Sequence, residues 1–117
     1  VNINKSLMKN VSEENQRLFW DFIKELDWNK GCNHKASNLV LRSKPKKEQK
    51  ILEKVFKHYM EKLNEFPHVF CSDLPWQFLR SGIIATGEKY YNEMTKEKIR
   101  YMIETKDYIE CFSYTFH

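Results

Sequence analysis

Three short constellations in this chain carry side chains able to do chemistry. Cys32-x-His34 and His68-x-x-Cys71 supply two thiols and two imidazoles, and thiolate with imidazole is a donor set that tetrahedral zinc accepts. Cys71 also stands just before Ser72 and Asp73, residue types that open helices, and the free N–H groups of a helix start favour a thiolate. With His68 as its base, Cys71 is a candidate nucleophile. Asp73 and Arg80 are seven positions apart, about two helical turns, so a helix places their carboxylate and guanidinium on one face, where they can tie neighbouring elements together.

Each constellation has a plainer reading, which the sequence favours for the cysteine and histidine sets and weighs equally for Asp73 and Arg80. Cys-x-His is not a usual zinc-knuckle spacing, and a free cysteine is commonly buried as a small hydrophobe. The Cys71 and His68 pair lacks a third residue to orient the base. Ser72 has no G-x-S-x-G setting, and helix capping explains its hydroxyl. Gly82 and Gly87 are too far apart for a phosphate-cradling G-x-G-x-x-G, and there is no P-loop. Asp73 reads equally as a capping acid and Arg80 as a partly exposed cation. No catalytic residue, metal or cofactor is therefore expected, and Cys32, His34, His68 and Cys71 remain the one candidate metal set.

Charge marks a different region. The chain carries a formal net charge of +4 over 117 residues, but it is unevenly spread. Lys30, Lys35, Arg42, Lys44, Lys46, Lys47 and Lys50 face a single acid, Glu48, between positions 30 and 50. This stretch reads either as an ordinary solvated loop or as a candidate surface for a partner, which an acidic protein fits. Nucleic acid is the alternative, with Trp28 at the edge as one stacking ring, although neither a recognition helix nor an aromatic platform is declared.

The elements that must position these residues are mostly helices. Three Gly and three Pro suit long helices better than a sandwich needing frequent turns. Ser12 caps a first helix in which Leu18, Phe19, Phe22, Ile23 and Leu26 repeat at helical spacing. Leu39, Val40 and Leu41 suggest a short helix. Pro45 opens a second long one bearing Ile51, Leu52, Val55, Phe56, Tyr59, Met60 and Leu63. Ser72 or Asp73 caps a third, with Trp76, Leu79, Ile83 and Ile84 inward and Gly82 marking a close approach to a neighbouring helix. Thr95 caps a further helix carrying Ile99, Met102 and Ile103. The tail "DYIECFSYTFH" is expected to be a strand-like end or a docked loop. The expected fold is all-α, one compact domain over 1–117 with four or five helices, built around Phe19, Phe56 and Ile83. A short extended C-terminal tail completes it, and continuation past His117 is left open.

Two stretches share a register with a known family. Phe19, Trp20 and Ile23, followed by Cys71, Ser72, Asp73, Trp76, Arg80, Ile83, Ile84, Gly87 and Tyr91, resemble the bacterial family called domain of unknown function 4240. Leu74 stands where that family usually has a second Asp, and Gly82 where it has Trp. The resemblance implies a helical bacterial protein and assigns no activity.

No window approaches the roughly 18 apolar residues of a spanning helix, and "VNINKSLMKN" lacks the apolar run of a signal peptide. Three dispersed cysteines suit a reducing compartment. The expectation is a cytoplasmic, non-catalytic protein-interaction module of regulatory or immunity type that uses the basic segment. A nucleic-acid binder and a zinc or thiol enzyme are the competing classes.

Overall fold

The computed structural model describes residues 11–28, 33–67 and 71–116. Within them, five helices of nine or more residues and one of five form an all-α fold. The first, α1 (Glu13–Leu26), starts where Ser12 Oγ accepts from the Asn15 N–H at 3.1 Å, with Glu13 and Glu14 in its electropositive first turn. It ends at Asp27, whose left-handed backbone (φ 48°) lets its N–H close on the Ile23 carbonyl. α2 (His34–Arg42) is the expected short helix, capped by Asn33 Oδ1 accepting from the Ala36 N–H at 2.9 Å.

The longest helix, α3 (Lys46–Leu63), follows Pro45, which occupies the capping position without a side-chain bond. α4 (Asp73–Thr86) follows Ser72, which likewise makes no side-chain capping bond, contrary to the role expected of its hydroxyl. Its buried face is unusually wide, taking in Trp76, Leu79 and every residue from Ser81 to Ala85. α5 (Glu88–Asn92) is a single turn after Gly87. α6 (Lys96–Thr105) is capped as expected by Thr95, which accepts from the Lys98 N–H.

Phe19, Phe56 and Ile83 from α1, α3 and α4 are all buried in one apolar cluster, so the three-helix core stands as read from the sequence. Two readings are refined. Of the two offered for the C-terminal segment the docked one holds and the extended one does not: Phe112–Phe116 forms a 3₁₀ turn docked on α2 and α4. Phe112 is fully buried, its ring edge-on to Trp28 and Phe56, while Phe116 stacks on Phe56 with centroids 4.5 Å apart. Gly82 does mark a close approach, but to the backbone of Ile109 rather than to another helix.

Candidate functional site

The basic segment resolves into residues with different duties. Lys35, Arg42, Lys46, Lys47 and Lys50 are exposed, whereas Lys44 is not available as the sequence suggested. Its ammonium binds Glu25 at 3.0 Å and lies over the Phe22 ring, with only 19% of the side chain exposed. Lys30 lies outside the described residues.

The helical period sorts α2 into two faces. Ser37 and Leu41 are buried, and Ser37 Oγ accepts from the Trp28 indole N–H at 2.8 Å. Lys35, Leu39 and Arg42, four and three residues apart, share the outer face. Leu39 is 72% exposed, an anchor-sized apolar group with Lys35 and Arg42 on its face. Beside it Asn38 donates to the Thr115 carbonyl at 2.7 Å, which fixes the 3₁₀ turn so that Tyr114 stands half out of the surface. His34 and Phe78 meet the Tyr114 ring edge-on, at 5.6 and 5.7 Å. A shallow hollow of about 400 Å³ remains between His34, Lys35, Asn38, Leu39 and Tyr114.

α3 adds to the field. Lys46 and Lys47 sit in its first turn with Glu48 as the only acid, where the helix macrodipole is already positive and each cation costs about 0.3–1 kcal/mol. Backbone and side-chain positive charge therefore point outward together. Leu39 and Tyr114 were not singled out from the sequence. A leucine in an apolar run reads as core, and only the burial of Ser37 and Leu41 shows that α2 turns Leu39 outward.

The remaining candidates scatter. Asp73 is exposed, and no hydrogen bond or ion pair joins it to Arg80 among the described residues. Arg80 instead packs over Trp76, 5.5 Å from the ring, and donates to the Met60 carbonyl at 2.9 Å. It thereby ties α4 to the last turn of α3. Trp76 does the same through its indole N–H, which reaches Asn64 Oδ1 at 2.9 Å. Of the two readings weighed equally for this pair, the ion network is not formed, and Arg80 serves instead as a structural bracket.

Burial pushes the Cys71 thiol up rather than down, which opposes thiolate chemistry at this helix start. Cys32 and His68 lie outside the described residues, and His34 is engaged with Tyr114. Among the described residues no group of three metal-ligating side chains comes together.

Phe19, Trp20 and Tyr91, from the two ends of the family-like register, converge. Trp20 packs against Phe19, Tyr59 and Tyr91 at 5.2, 5.0 and 5.7 Å. Gly87 makes the turn between α4 and α5 at φ 132°, which swings Tyr91 onto α1 and α3. Tyr59 was read only as one of an apolar stripe, yet its hydroxyl is the signal that could have distinguished it, since a buried phenol seeks a partner.

Compared with family models, curated proteins and solved structures, the chain matches none. No helix among the described residues is long and apolar enough to cross a membrane.

Proposed function

We propose that this protein is a non-catalytic interaction module whose α2 face captures an acidic segment of a partner protein. The observation that carries the reading is Leu39, 72% exposed beside the Tyr114 hollow that Lys35 also lines, with Lys46 and Lys47 exposed at the start of the next helix. An apolar anchor inside a charged rim is the anatomy of a protein-binding surface, in which the buried group supplies affinity and the rim supplies steering. A partner segment bearing acids around one apolar side chain complements it. A regulatory or immunity-type role in the bacterial cytoplasm, and kinship with the family called domain of unknown function 4240, belong to the same proposal.

The test is fluorescence anisotropy with a labelled peptide of glutamates around a single leucine, alongside a single-stranded oligonucleotide of equal charge. Leu39→Ser should weaken the peptide about tenfold or more, since a buried leucine contributes about 1.5–3 kcal/mol. Lys46→Glu with Lys47→Glu should weaken it further and flatten its salt dependence. Oligonucleotide binding that ignores Leu39 and depends only on the lysines would instead support nucleic acid as the partner.

A further inference from the structure

A separate cavity of about 220 Å³ opens where α1, α3 and α5 meet. That is roughly seven water volumes, smaller than pockets for drug-sized ligands. One wall is already satisfied. The Trp20 indole N–H donates to Tyr59 Oη at 3.1 Å, Tyr59 Oη donates to Gln16 Oε1 at 2.9 Å, and Gln16 Nε2 donates to the Val11 carbonyl. Glu88 in the lining is held by Arg17 at 2.9 Å, while Glu61 and Glu65, both exposed, lie near enough to act on His58 and Tyr91.

The opposite wall is different. His58 and Lys62 from α3, with Tyr91 and Asn92 from α5, border the same cavity. Their polar ends make no hydrogen bond within the described residues. The His58 imidazole meets the Tyr59 ring edge-on, at 5.3 Å. Burial, with the nearby Lys62 charge, lowers the His58 pKa, so near neutrality the ring offers one N–H and no charge. The set is one ammonium, one imidazole N–H, one phenol O–H and one amide, all able to donate.

The geometry points to a binding site for a small organic carboxylate, held by Lys62, His58, Tyr91 and Asn92. Two carboxylate oxygens accept about four hydrogen bonds, matching these four donors. A carboxylate brings one charge to Lys62, whereas a doubly charged phosphate would meet more repulsion from Glu61 and Glu65, which act on His58 and Tyr91. A cationic ligand would meet Lys62. The rings of Trp20, Tyr59 and Tyr91 leave room for a short apolar portion.

The C-terminal end of α3 does not oppose an anion as a bare helix end would. Its last carbonyls are taken: Met60 by Arg80, Glu61 by the Asn64 N–H, Lys62 by the Glu65 N–H and Leu63 by the Phe66 N–H.

The carboxylate could be a free metabolite or a peptide C-terminus, and the experiment separates them. Propionate, propionamide and a short peptide with a free C-terminus are titrated into the isotope-labelled full chain, following the Trp20 indole and Asn92 amide signals by NMR. Propionate should give saturable shifts near millimolar, while neutral propionamide should not. Lys62→Ala, at an exposed position that does not threaten folding, should weaken propionate about tenfold or more. Lys54→Ala, exposed on the same helix outside the cavity, should change nothing. Propionate binding without peptide binding assigns the site to free carboxylates, and tighter peptide binding assigns it to protein C-termini. Absence of saturation, equal binding of propionamide, or indifference to Lys62→Ala would overturn the proposal.

Discussion

The backbone of Ile109 lies where a side chain on Gly82 would have to go, its N and C atoms 3.1 and 3.2 Å from the Cβ that any other residue would carry. Alanine at this helical position gains about 1 kcal/mol of intrinsic propensity, but the obstacle is main chain and cannot rotate aside. Gly82→Ala should therefore destabilise the protein by about 1–3 kcal/mol, measured by urea unfolding. A stabilised variant would show that the Ile109 segment does not rest on α4.

Phe112 tests the same docking from the other side. It is fully buried between Trp28 and Phe56, so Phe112→Ala should cost about 3–5 kcal/mol. A loss under 1 kcal/mol, by the same measurement, would contradict the packing of the 3₁₀ turn.

The Trp20, Tyr59 and Gln16 chain is a relay of two hydrogen bonds, the first buried and the second partly so. Tyr59→Phe removes the acceptor for the indole N–H and the donor for the amide together. The expected cost is about 1–3 kcal/mol, because the indole N–H is left without its partner. A double-mutant cycle with Gln16→Leu should show coupling between the two sites.

Lys44 should separate from its basic neighbours. Lys44→Ala loses an ion pair with Glu25 and the cover over Phe22, so it should lower stability by about 0.5–1 kcal/mol. It should leave affinity for the acidic peptide nearly unchanged, whereas Lys46→Glu and Lys47→Glu should do the reverse. Equal effects of all three on binding would return Lys44 to the partner surface.

His58 gives stability a pH slope of known sign. Its pKa is lowered in the fold, first by burial and then by Lys62, with Glu61 opposing, while Glu88 and Tyr91 border the same cavity from α5. The unfolded chain therefore takes up the proton first. The contribution is fully present above the unfolded value near 6.5 and is lost as pH falls from there through the lowered folded value. His58→Gln should flatten unfolding free energy against pH over that window, and an unaltered slope would contradict the assignment.

What the sequence made legible was local. Ser12 and Thr95 announce their helices because a cap needs only the next three residues, and the stripes around Phe19, Phe56 and Ile83 follow from a period of 3.6. What it hid depends on partners far along the chain. The aromatic spacing after Lys106 follows no period, because those side chains fit a gap between α2, α3 and α4 rather than one face of an element. Lys44 looked like part of a cationic run because Glu25, which neutralises it, is nineteen residues away. The candidate surface was legible as charge but not as shape, since Leu39 is outward only because Ser37 and Leu41 take the inward places on α2.

The bond from Asn38 to the Thr115 carbonyl joins the outer helix face to a turn that also plugs the interior. Whatever grips Leu39 and Tyr114 would therefore clamp the plug as well. Occupancy of that surface should slow amide exchange at Phe56 and Ile83, even though neither residue touches the guest.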